Sequence, residues 1–162
     1  MEAALKYALQ LLEKRSYSKK RLAFKLGLKG YHAERAAVLV ELAAQGFIND
    51  QRYAQRFIEQ RQLSKPSGKK RLILDLMKRG IERELAEQSW RQWEEDELRA
   101  NEDSPALLAL RKRQQRGDLD LANWQDQQKL FRFLSQRGFS YTEAKAALAK
   151  LLADDRTKRS TC

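Results

Sequence analysis

One pattern recurs three times along the chain and aligns without a gap: Ser18 to Tyr31 (SKKRLAFKLGLKGY), Gly68 to Ile81 (GKKRLILDLMKRGI) and Asp126 to Phe139 (DQQKLFRFLSQRGF). In each copy leucines stand four and eight positions after the first residue: Leu22/Leu26, Leu72/Leu76 and Leu130/Leu134. Residues four apart share one face of a helix. Four positions beyond the second leucine comes a glycine, preceded by a base and followed by an apolar residue: Lys29-Gly30-Tyr31, Arg79-Gly80-Ile81, Arg137-Gly138-Phe139. A glycine after a basic last turn is a C-terminal stop signal. Each copy therefore predicts a short amphipathic helix with a defined end. The copies start 50 and 58 residues apart, so the natural unit is a module of that size, as in repeat architectures.

The flanks match as well. After each glycine, Ala36-Leu39-Val40-Ala43, Leu85-Ala86-Ser89-Trp90-Trp93 and Ala144-Ala147-Leu148-Leu151 keep helical spacing. Before each copy, Leu5-Leu9-Leu12, Tyr53-Phe57-Ile58 and Leu107-Leu108-Leu110 do the same. The module is three helices, and the expected fold is all-α: an elongated tandem array of three three-helix modules. Their expected extents are 1–46, 47–97 and 104–153, the third degenerate as terminal repeats are, with 154–162 a disordered tail.

Composition fits this reading. With 42% hydrophobic and 34% charged residues, several small cores are expected in place of one large one. No stretch alternates apolar and polar residues over the length of a strand. Ser104-Pro105 reads as an N-cap followed by proline in the first turn, and Asn49-Asp50 as another helix start. Lys6, Glu13, Lys14 and Arg15 interrupt the N-terminal apolar pattern, which argues against a signal peptide, and no run approaches a membrane span. A cytoplasmic monomer is expected. Cys162 is the sole cysteine and reads as a free thiol on a frayed end, so no intramolecular disulfide or cysteine metal cluster can form. His32, the sole histidine, lacks a second ligand nearby and reads as a solvated turn residue.

The charge is uneven. The net +11 lies in residues 1–81, which hold 18 bases and 7 acids; residues 82–123 hold 7 and 11, and residues 124–162 hold 8 and 4. Lys19-Lys20-Arg21 recurs as Lys69-Lys70-Arg71 at the start of each repeat helix. Bases at a helix N-terminus oppose the helix dipole, so an anionic partner is the better explanation. These six residues are the expected contacts, supported by Lys25, Arg61, Lys65, Lys78, Arg79 and, in a weaker third cluster, Arg111 and Arg113.

No reaction chemistry emerges. Gly68-Lys69 fails as a phosphate loop because Leu63 stands where the motif needs glycine, and Lys70 where it needs Ser or Thr. Gly27-Leu28-Lys29-Gly30 matches the clamp of a KH domain, but that module needs strands. Glu94-Glu95-Asp96-Glu97 through Asp103 is a carboxylate run without partners for metal or acid–base work and reads as a solvated linker. Trp90, Trp93 and Trp124 fall on helical stripes and are expected in the core. No catalytic residue, metal site or cofactor is expected.

Gly46-Phe47-Ile48-Asn49-Asp50-Gln51-Arg52-Tyr53-Ala54 resembles a family signature: glycine, apolar pair, acidic helix start, arginine, aromatic, alanine. Arg61, Gly68, Arg71-Leu72, Leu76 and Lys78-Arg79-Gly80-Ile81 resemble its next stretch, and Tyr17-Ser18, Leu22, Leu26 and Gly30-Tyr31 the module before it. The family is RecX, bacterial regulators of the RecA recombinase. The resemblance covers nearly the whole chain, is specific in the first two modules and weak in the third, and departs from the family pattern at Lys65-Pro66-Ser67-Gly68-Lys69. It implies a non-enzymatic protein that lodges in the groove of the RecA–DNA filament. There it restrains ATP hydrolysis, strand exchange and coprotease activity, damping recombination and the SOS response. Single- or double-stranded DNA is a further possible partner. The contact residues rest on charge and repeat position, not on the resemblance. The alternative from the residues is a stand-alone DNA binder built of basic helix-turn-helix-like modules.

Overall fold

The computed structural model describes residues 1–100 and 102–161, and among them every regular element is an α-helix. In order these are α1 (Glu2–Lys14), α2 (Lys19–Leu28), α3 (Arg35–Ala44), α4 (Asp50–Ser64), α5 (Lys69–Lys78), α6 (Arg83–Ala100), α7 (Pro105–Gln114), α8 (Trp124–Gln136) and α9 (Tyr141–Ser160). The aligned repeats are α2, α5 and α8. Their leucine pairs, from Leu22 to Leu134, are all fully buried. Burying one leucine side chain contributes ~1.5–3 kcal/mol, so these pairs fix which face of each helix turns inward.

The glycine stops are Schellman turns. In α5 the amide of Gly80 donates to Met77 and that of Ile81 to Leu76, at 2.9 and 3.1 Å; Gly138 and Phe139 repeat the pattern onto Ser135 and Leu134. Both glycines have φ near +85°, where a Cβ would clash with the backbone. Leu–x3–Gly–apolar is therefore one device: a buried leucine three residues inside the cap, and a buried Ile81 or Phe139 closing over it.

The chain divides into two compact units, residues 1–57 with 75–89, and residues 58–74 with the chain from 90 onward; the division falls inside α4, α5 and α6. In the first unit Leu22 and Leu26 pack with Ala4, Ala8, Tyr17, Val38, Leu39, Leu42 and Ile48. In the second, Leu130 and Leu134 pack with Leu107, Leu110, Leu121, Phe139, Ala144, Ala147 and Leu151. On α1 the innermost residues are Ala4 and Ala8, while Leu5, Leu9 and Leu12 lie beside them, half-buried. Small residues at the seam let the helices approach closely, and the larger side chains wrap the edges.

Three expectations are corrected. The acidic run is helical: α6 continues through Glu94–Glu97 to Ala100, its strong helix formers assisted by the Gln92 amide donating to Asp96 one turn on at 3.3 Å (Asn101 lies outside the described residues). The stretch 154–160 continues α9 to Ser160, held by Arg111–Asp154 and by the i,i+4 pair Arg159–Asp155; Cys162 lies outside the described residues. Trp124 is 69% exposed: it opens α8, ahead of the leucine face, whereas Trp90 is buried and Trp93 half-buried. Among the described residues, no helix is long and apolar enough to cross a membrane.

Candidate functional site

The two basic triplets share one structural situation. In the first unit, the start of α2 docks on the end of α5. Ser18, which caps α2 by accepting from the Arg21 amide at 3.3 Å, donates its hydroxyl to the Arg79 carbonyl, and Lys20 lies against Gly80. In the second unit, the start of α5 docks in the same way on the end of α8. The Gly68 amide donates to the Arg137 carbonyl at 2.8 Å, and Arg71 lies against Gly138. A helix end carries partial negative charge on its free carbonyls. The triplets thus meet a neighbouring helix end, a partial account of bases that their own helix dipoles do not favour. Asp50 supplies the anion that α2 itself prefers, its Oδ1 accepting from the Lys19 amide at 2.7 Å.

The predicted contact residues fall into groups. Lys19, Lys20, Arg21, Lys65, Lys69, Lys70, Arg71 and Lys78 are exposed, and Lys25, Arg61 and Arg79 are half-buried. Arg71 also has a structural task, donating to the Gln136 carbonyl at 2.8 Å. Arg79 is pinned: its guanidinium lies 4.4 Å from the centre of the Phe57 ring and donates to the Asp75 carbonyl at 2.9 Å. Arg111 and Arg113 are committed internally, Arg111 to Asp103 and Asp154 at 3.2 and 2.9 Å, Arg113 in a fork onto Asp118 at 2.6 and 3.0 Å. The hydrogen bond from Arg113 holds the Asp118 carboxyl below its ordinary range, as Lys129 does for Asp126. The third basic cluster is therefore largely neutralised at home.

Sequence reasoning missed what surrounds the docked helix starts. In the first unit a cavity of about 240 Å³ is lined by Arg15, Ser16, Tyr17, Arg21, Tyr53, Lys78 and Arg79, four cations and no carboxylate. Arg15 is fixed there by donating Nε to the Tyr17 hydroxyl at 2.8 Å. In the second unit, burial lowers the pKa of Arg137, and so do the charges of Arg71, Arg116 and Arg61. Arg137 settles by stacking on Phe133 and donating to the Pro66 carbonyl at 3.3 Å. Arg21 with Arg79, and Arg71 with Arg137, occupy equivalent repeat positions, so guanidinium groups gather at the same junction twice. One signal was available: Arg15 and Lys65 both stand three residues before their repeats.

Comparison with known proteins bears on this arrangement. The RecX second three-helix domain matches residues 49–89, and the RecX third three-helix domain matches residues 102–148. The regulatory protein RecX of Pelodictyon phaeoclathratiforme is 31% identical over 156 residues, covering 94% of this chain and 92% of the relative. The chain belongs to the RecX family. The regulatory protein RecX of Thermus thermophilus is 35% identical over 136 residues, covering 84% and 83%. The crystal structure of RecX from Lactobacillus salivarius matches with a TM-score of 0.75 and 22% identity, over 93% of this chain and 95% of that one, a likeness of fold. Both matched RecX domains include one side of a docked junction: Arg79-Gly80 in the second, Arg137-Gly138 in the third.

Proposed function

We propose that the chain is a non-enzymatic regulator that binds the RecA–DNA filament, seated in its groove, and restrains ATP hydrolysis, strand exchange and coprotease activity. It acts in the cytoplasm as a monomer. The observation that carries this reading is the basic junction built twice, one module apart. A partner that repeats its own surface, as a filament does, is engaged best by a chain that repeats its contacts. Each weak contact raises the effective concentration of the next, so the pair can exceed either alone by ~10² or more. Membership of a family whose relatives are named regulatory proteins supports the reading.

Lys19, Lys20, Arg21, Lys69 and Lys70 are the leading contacts; Arg71 shares its charge with the Gln136 carbonyl. Lys25, Arg61, Lys65, Lys78 and Arg79 support them. The test is ATP hydrolysis by RecA on single-stranded DNA, with this protein titrated in. Hydrolysis slows at substoichiometric protein, while the protein alone hydrolyses nothing. An unchanged rate at saturation, with binding confirmed separately, removes the reading. A stand-alone DNA binder is distinguished in the same titration, because it loses naked DNA and filaments in parallel when its bases are changed.

A further inference from the structure

The four-cation cavity of the first unit has a neighbour. A groove of about 340 Å³ is lined by Lys20, Arg21, Phe24, Met77, Lys78, Arg79 and Gly80, so Arg21, Lys78 and Arg79 border both spaces. Its apolar lining is Phe24, 62% exposed, and Met77. Phe24 has no part in the core: α2 turns Leu22 and Leu26 inward, and Phe24 stands off that stripe. Phe24 thus stands in water beside Lys20, Arg21, Lys78 and Arg79, in a groove lined by no carboxylate. The cavity ringed by Arg15, Arg21, Lys78 and Arg79 likewise has no carboxylate in its lining; like charges at such range repel, and an anion relieves them.

We propose that the two spaces together bind one nucleotide of an unpaired nucleic-acid strand. The phosphodiester sits among Arg15, Arg21, Lys78 and Arg79, with the Tyr17 and Tyr53 hydroxyls at hand, and the adjoining base lies on Phe24 and Met77. Guanidinium forks match phosphate oxygens, and a flat aromatic face accepts any base. A duplex satisfies only half of the site, because its bases are paired and stacked. An acidic peptide also satisfies only half, having a charge for the cavity and nothing for Phe24. Arg79 is already oriented by Phe57 and the Asp75 carbonyl, so little ordering is needed on binding.

The inference is independent of the recombinase, and so is its test. Fluorescence anisotropy is measured with a labelled oligothymidylate, an abasic oligonucleotide of equal length and a duplex, with polyglutamate as competitor, across a salt series. Phe24→Ala weakens oligothymidylate binding at least about fivefold and leaves abasic binding unchanged. Arg21→Gln with Lys78→Gln weakens both single strands and flattens the log–log salt slope by about 1.4, at ~0.7 per lost contact. All three side chains are exposed, and circular dichroism of each variant confirms the helical fold. Equal affinity of Phe24→Ala and the parent chain for oligothymidylate overturns the proposal. So does polyglutamate competing as well as oligothymidylate, or an unchanged salt slope in the double variant.

Discussion

The Ser18 hydroxyl donates to the Arg79 carbonyl, joining the start of α2 to the end of α5 across 61 residues of chain. At the equivalent place in the second repeat no side chain intervenes: the Gly68 amide donates directly to the Arg137 carbonyl at 2.8 Å. The first contact runs through a hydroxyl and the second from backbone to backbone, with Arg71 adding a bond to the Gln136 carbonyl, so helix start and helix end approach more closely in the second junction.

Gly68 has ordinary φ but no room. A Cβ there would lie 2.2 Å from the Gly138 carbonyl oxygen, backbone that cannot swing aside. Gly68→Ser, which writes the first repeat's residue into the second, should destabilise the protein by ~1–3 kcal/mol or more. Urea denaturation is the measurement. A loss below ~0.5 kcal/mol would mean the junction is looser than described.

Ser18 is buried and serves two partners, the Arg21 amide and the Arg79 carbonyl. Ser18→Ala removes an N-cap worth ~1 kcal/mol and leaves a carbonyl unmatched, which costs ~1–3 kcal/mol more. A combined loss of ~2–4 kcal/mol is expected in denaturant. Ser104, which caps α7 without such a cross-helix bond, should cost only the ~1 kcal/mol of the cap when changed to alanine.

Charge reversal tests the contacts. Lys19→Glu with Lys20→Glu should weaken filament binding, as should Lys69→Glu with Lys70→Glu, and the fourfold variant should be weaker than either. These lysines are exposed, so folding changes by about 0.5 kcal/mol or less per site. Arg71 and Arg79 are left in place because they hold neighbouring carbonyls. Binding should fall with salt in the parent and less steeply in the variants. If the fourfold variant binds filaments like the parent, the lysines are solvated surface.

Acid should loosen the loop between α7 and α8 in a narrow window. Asp118 is held below its ordinary pKa of 3.8, first by its hydrogen bond from Arg113. A depressed carboxylate contributes stability that is full above its unfolded value and lost as pH falls through the folded one. The Arg113–Asp118 fork should therefore persist at pH 5 and open below 3.8, seen as chemical-shift changes at Gly117–Asp120. Asp118→Asn should abolish that transition; if the shifts move with the same midpoint in the variant, another group is responsible.

Much of the fold was legible because the leucine pairs and the glycine stops are local devices, complete within one helix and its cap. Asn49 and Ser104 could be read as caps for the same reason, and both accept the expected backbone amides. What escaped was tertiary. Leucine spacing in α1 pointed to Leu5 and Leu9, but helix-on-helix approach selected Ala4 and Ala8. Arg111 looked like a free base until a partner 43 residues away neutralised it. The cationic cavity draws Arg15, Arg21, Tyr53 and Lys78 from four helices or their flanks, and no spacing along the chain brings them together.

The docking of helix start on helix end also sets an order in time. α2 is complete as a stretch of chain once residue 28 is made, yet its Ser18 finds its carbonyl only 61 residues beyond itself; Arg71 waits 65 residues for Gln136. At ~5–20 residues per second, a ribosome leaves each start unfinished for several seconds. The lag is about one repeat at both joints. Because each lag runs a little past the repeat, the start of α5 emerges shortly before the end of α5 closes α2, and two helix starts stand open together only while α5 itself is being made.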